Sequence, residues 1–212
     1  MEQIKFLLSQ QVLSTLLEKK DQGFNKLDVE SFYVYNFLKD EYLKTEDITT
    51  NHFFQFTYRS FYRLDNAGLT KEFKYRYFEL LQKYRTCDID LKEICIELFN
   101  YKTKKGLNSV QFSFATKLAN MIDNTYPIYD SEVAKLFNFN QPYYLKDRDL
   151  KIDKYLEQYD YIKYASKELV SNKNIQDIFS EMDNLFGESC RKIDNIKKLD
   201  FLMWSAGKVL KS

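Results

Sequence analysis

Glycine and proline are nearly absent from this chain, five and two among 212 residues. A sandwich or barrel closed by many tight turns needs both, so that class is excluded. There is one histidine, His52, set among aromatics in NHFFQF. A histidine-based triad or di-histidine metal site would rest on it alone, and a core or helix-start role is the simpler reading. The cysteines, Cys87, Cys95 and Cys190, are odd in number, widely spaced and never in a C-x-x-C pattern. Neither a disulfide framework nor a zinc site follows from them, and a four-cysteine iron–sulfur cluster is excluded by count. They read as reduced, buried thiols, and no metal or cofactor is expected.

Long apolar runs are also missing. No segment of the sequence approaches the roughly 20 apolar residues of a membrane span. The opening MEQIKFLLSQQVLSTLLEKK is amphipathic and lacks the apolar core of a secretory signal. A soluble, cytoplasmic chain with no membrane partner is the expectation. Charge of one sign is lacking too: 32 Lys and Arg face 31 Asp and Glu, a net +1. Such a balance exerts no global pull on nucleic acid, so any such binding would need a local patch.

What remains is abundant aromatic and aliphatic material, with 17 Tyr and 18 Phe, arranged at helical spacing. Ile4, Leu8, Val12 and Leu16 form one stripe, ended near Gly23. Val29, Tyr33 and Phe37 form a second, behind Asp28 as a possible N-cap. Phe54, Tyr58, Phe61 and Leu64 form a third, stopped by Asn66-Ala67-Gly68. Thr70 can cap a fourth bearing Phe73, Tyr77, Leu80, Leu81 and Tyr84. Asp90 with Glu93 resembles a capping box opening a fifth, with Ile94, Cys95, Leu98 and Phe99. Ser109 starts a sixth with Val110, Phe114, Leu118 and Met121 inward, and Asp130 a short seventh with Val133, Leu136 and Phe137. Three longer stretches, 147–170, 174–186 and 192–210, follow Pro142. No segment alternates with the two-residue period of a strand. The predicted class is all-α, about ten helices, dividing near Asn124.

The stretch from Lys102 to Asn138 carries the chemistry-bearing residues. Lys102, Lys104, Lys105 and Gly106 form a basic loop between predicted helices at 90–101 and 109–122. Backbone amides opening the second helix lack intrahelical partners and sit at its positive end, so a phosphate would be favoured there. The lysines add sequence-independent attraction; the same residues also suit a plain solvated loop. Lys117 falls at the boundary of the apolar face, where partial desolvation would lower its pKa and expose a nucleophilic amine. A snorkelling surface lysine fits the same position. Asp130 is placed to cap a helix, and a capping carboxylate facing a cleft can also stabilise a cationic transition state or accept a proton. Tyr126 and Tyr129 flank Pro127 beside it and could stack on an extruded base, although aromatics at such spacing are more often core. Tyr143, Tyr144 and Trp204 are further aromatics of this kind, and Lys146 and Arg148 could meet phosphate.

The order of basic hairpin, Lys117-x-Ala119-Asn120, then Pro127-Ile128-x-Asp130-Ser131-x-Val133 resembles the helix–hairpin–helix DNA glycosylase superfamily. More narrowly, it is similar to bacterial proteins with an 8-oxoguanine DNA glycosylase-like fold. That resemblance implies two helical subdomains with a base-holding cleft between them. Residues 22–124 would form a helical barrel ending in the hairpin-like element, and 1–21 plus 125–212 the other. It implies DNA as partner, Lys117 as the amine attacking the sugar C1′, and Asp130 assisting glycosidic cleavage. The superfamily hairpin has the form Leu-Pro-Gly-x-Gly, whereas this chain has Gly106 alone. The interval from Lys117 to Asp130 is also shortened, which truncates the helix between them. A non-enzymatic DNA-binding or protein-interaction module on the same scaffold is the alternative.

Overall fold

The computed structural model describes residues 2–210. Among them the order is α1 Glu2–Phe24, α2 Val29–Lys44, α3 His52–Phe61, α4 Lys71–Lys83, α5 Leu91–Phe99, α6 Phe112–Ile122, α7 Ser131–Leu136, a 3-10 turn Pro142–Tyr144, α8 Arg148–Val170, α9 Lys173–Phe186, α10 Glu188–Arg191 and α11 Asn195–Val209. The described residues contain no strand, and their one β pairing is an isolated bridge between Leu69 and Thr103. The all-α class is as the periodicity predicts. No helix among these residues is long and apolar enough to cross a membrane.

The chain divides into two compact units. The first takes the described residues within Met1–Tyr33, Pro127–Gln141 and Leu156–Ser212; the second takes Val34–Tyr126 and Pro142–Tyr155.

In the first unit α11 is the central element, packed by α1, α7 and α9. Its buried residues run from Lys197 to Met203 without interruption and resume at Ser205, Ala206 and Gly207. A helix covered on so many sides needs small residues where neighbours come close. Gly207 meets the backbone of Glu132 on α7, and Gly23 of α1 faces Ser205. Phe32 joins the core through Phe186, 4.8 Å between ring centroids, and Phe201, 5.0 Å.

The second unit is built around α4, α5 and α6, with an aromatic core of Phe54, Tyr58, Tyr62, Tyr77 and Phe78. Three of these, Tyr58, Tyr62 and Tyr77, bring hydroxyls inside, where a polar group needs a partner. Tyr77 donates to the Phe114 carbonyl of α6 at 3.0 Å, so Tyr58 donates to Tyr77 at 2.7 Å. Lys39 of α2 caps the end of α6, its Nζ 2.8 Å from the Met121 carbonyl, where the helix dipole favours a cation.

Local signals located most helix starts. Thr70 accepts from the Phe73 amide, Asp90 from those of Lys92 and Glu93, and Asp130 from those of Glu132 and Val133. Glu93 directs its carboxylate to Lys83, at 2.9 Å. His52 opens α3 as an exposed residue.

Three readings are corrected. The face predicted for α2 is rotated: Tyr33 is 61% exposed and Val29 is exposed, while Phe32, Tyr35, Leu38 and Tyr42 are buried. Both sets satisfy helical spacing, and packing selected the other. Ile4, placed on the first stripe, is exposed. Finally, α6 begins at Phe112 and not at Ser109. Ser109 Oγ accepts from the Gln111 side chain at 2.6 Å, and no side chain caps the helix.

The end of α2 depends on one side chain from beyond α4. Arg85 donates to the carbonyls of Tyr42 at 2.8 Å, Thr45 at 2.6 Å and Glu46 at 3.1 Å, and lies over the Tyr42 ring at 4.7 Å. Arg85→Ala is expected to cost about 2 kcal/mol, the value of a few charge-assisted bonds to a partly buried helix end. Chemical denaturation should show a lower midpoint with an unchanged slope.

Candidate functional site

The basic loop is a closed turn. Thr103 donates from its amide to the Leu107 carbonyl at 2.9 Å, and Gly106 donates back to the Thr103 carbonyl at 2.8 Å. Gly106 takes φ +77°, a left-handed conformation that its lack of a side chain permits. The Lys104 amide donates to the Gly68 carbonyl at 2.8 Å, and the Leu69–Thr103 bridge lies beside it. The turn is therefore pinned to the α3–α4 connection. Lys102, Lys104 and Lys105 are all exposed.

The expected cradle, a basic loop leading directly into the first amides of a helix at 109, is not formed that way. Residues 107–111 intervene in extended or irregular backbone, and Asn108 directs its side chain to the Phe99 carbonyl at the end of α5, at 2.6 Å.

Lys117 belongs to the second unit and Asp130 to the first. On α6, Lys117 is half-buried, between Thr116 and Leu118, which are both buried. Its Nζ lies over the Phe114 ring, 5.1 Å from the centroid. That is the boundary position its spacing predicts. The end of α6 is fastened to the segment beyond it by Asn120, which donates to the Tyr126 carbonyl at 2.9 Å. Tyr126 is half-buried, and burial followed by the nearby Asp123 and Asp88 pushes its phenol above the usual tyrosine range.

Asp130 is half-buried, and its Oδ1 accepts from the Glu132 and Val133 amides, each at 3.0 Å. The approach to it is held by buried polar contacts. Tyr159 donates to the Pro127 carbonyl at 2.9 Å, and the Ile128 amide donates to Asp200 at 3.3 Å. Tyr129 is 1% exposed and donates to Gln158 at 2.7 Å, so its ring and hydroxyl belong to this bracing.

Sequence reasoning passed over the charges inside α11. Lys197 pairs with Asp200 at 3.2 Å, and Lys198 with Asp183 of α9 at 2.7 Å. Both lysines are buried. Burial pushes Lys197 below the usual lysine range, against the opposing pull of Asp200, Asp194 and Asp130. The signal was available: two lysines and an aspartate in IKKLDFLMWSAG interrupt a segment otherwise apolar or small on every face.

Among the thiols, Cys95 and Cys190 are buried and Cys87 is exposed. Burial pushes Cys190 up to about 12. No group of three or more His, Cys, Asp or Glu side chains is placed to hold a metal ion among the described residues. Tyr143 and Tyr144 are exposed on the 3-10 turn, and Arg148 lies over the Phe99 ring at 5.7 Å while pairing with Asp149.

No protein-family model matches the chain, no curated protein matches it, and no solved structure matches it.

Proposed function

We propose that the chain is a DNA glycosylase/lyase-like protein of the helix–hairpin–helix kind, acting on a damaged or modified base. The observation that carries this reading is Lys117, an amine held half-buried at the edge of the apolar face of α6 against an aromatic ring. The residues of the resemblance follow it along the chain: Asn120, the Pro127-Ile128 turn, and Asp130 at the cap of α7. The Lys117 amine, deprotonated, attacks C1′ of the nucleotide. The C1′–N glycosidic bond breaks and the base departs with its electron pair, taking up a proton. Opening of the sugar ring leaves an imine between Nζ and C1′, from which β-elimination can follow. Asp130 stabilises the positive charge that develops on the sugar. This route draws on no cofactor.

Borohydride trapping against a panel of abasic and damaged duplex oligonucleotides tests the reading, because hydride reduces the imine to a stable amine. A covalent adduct with at least one lesion is the expected result. No adduct on any member of the panel overturns lysine–imine chemistry.

A second reading, a non-enzymatic DNA-binding or protein-interaction module, draws on the exposed, backbone-pinned lysine turn. If that turn grips phosphate, replacing Lys102, Lys104 and Lys105 with Ser weakens binding to all duplex sequences alike. The slope of log affinity against log salt should flatten by about 0.9 for each phosphate that the turn no longer neutralises. An unchanged slope removes the turn from the interface.

A further inference from the structure

A lysine and an aspartate buried together are a costly way to fill a core. Two well-packed apolar side chains often serve stability as well or better, while removing one partner alone is strongly destabilising. In α11 the side chains of Lys197 and Asp200 are only 3% and 6% exposed, with Nζ 3.2 Å from Oδ2. The second oxygen of Asp200 is committed to the amide of Ile128, 3.3 Å away and also buried. Ile128 lies on the approach to Asp130. The same short segment is held at Pro127 by Tyr159, at Tyr129 by Gln158, and at Glu132 by the close approach of Gly207.

We infer that Lys197 and Asp200 are positioning residues for Asp130, Asp200 by holding the backbone that leads into it and Lys197 by holding the Asp200 carboxylate in place for that contact. The two effects are separable. The hydrogen bond to Ile128 fixes the backbone that carries Asp130, and the ion pair with Lys197 fixes the acceptor of that bond. This inference rests on the proposed role of Asp130, but the brace itself exists independently of that role.

Two double variants separate the parts in the full chain. Lys197→Met with Asp200→Asn removes the buried charges, fills the lysine's volume and keeps an acceptor for Ile128. Lys197→Met with Asp200→Ala removes the acceptor as well. The Met/Asn variant is expected to unfold near the wild-type denaturant midpoint and to keep the Ile128 amide protected. Its single-turnover imine formation, on a lesion that the wild type traps, should nevertheless be slower by about tenfold, the scale at which small losses of preorganisation act. A wild-type rate in this variant overturns the part given to Lys197. In the Met/Ala variant the Ile128 amide should exchange at least about tenfold faster than in Met/Asn, since its bond is gone. Equal exchange overturns the part given to Asp200. If the wild type traps no lesion, the functional reading falls on its own, and the amide comparison still decides the brace.

Discussion

Gly207→Ala is expected to destabilise the unit built on α11 by about 3 kcal/mol or more, a large share of the roughly 5–15 kcal/mol that holds a typical domain folded. Position 207 is helical, and alanine is the better helix former by up to about 1 kcal/mol, so propensity favours the substitution. Space opposes it. A methyl group there would lie 2.1 Å from the Glu132 carbonyl oxygen and 2.6 Å from its carbonyl carbon. Both are backbone atoms, so no side chain can swing aside. The helix that would have to retreat is α7, six residues long and capped by Asp130. Shifting it pulls on the cap and on the brace through Ile128. Gly23→Ala is the control, because its nearest contact is the Ser205 hydroxyl at 3.0 Å, a side-chain atom that can rotate. Denaturation midpoints should fall sharply for Gly207→Ala and little for Gly23→Ala. A wild-type midpoint at 207 would mean that α7 slides freely on α11.

Lys117→Gln should abolish borohydride trapping altogether while leaving DNA affinity within about threefold, since one neutralised charge removes at most one phosphate contact. Glutamine keeps most of the side chain's length and no nucleophilic amine. The residue is half-buried, and its ammonium–ring contact with Phe114 is worth about 0.5–1 kcal/mol. Circular dichroism separates loss of the adduct from loss of the fold. Trapping that survives the substitution sinks Lys117 as the nucleophile and turns the search to another amine.

The features legible in the sequence share one property: each is settled within a few residues. The caps at Thr70, Asp90 and Asp130 are bonds from a side chain to amides two or three positions ahead. Composition favours such bonds whatever the rest of the chain does. The α4 stripe of Phe73, Tyr77, Leu80, Leu81 and Tyr84 is buried throughout, as its spacing predicts. The half-buried setting of Lys117 follows from the same periodicity. Where local signals compete they mislead. In α2 the sets Val29, Tyr33, Phe37 and Phe32, Tyr35, Tyr42 both obey helical spacing, and only packing ranks them. At Ser109 a residue suited to capping is taken by the Gln111 side chain, and the helix starts later. The four-residue α10 is too short for any periodicity to register.

By itself, the sequence determined that this protein is helical, where most helices begin, and which lysine stands at an apolar edge, because these are matters of spacing and neighbouring backbone. Only the tertiary structure decided that Lys197 and Asp200 lie buried together on the amide of Ile128, that Tyr129 turns inward to Gln158, and that the lysine turn is pinned to Gly68. Burial is set by what packs against a residue, and those partners lie far along the chain, where no local pattern reaches.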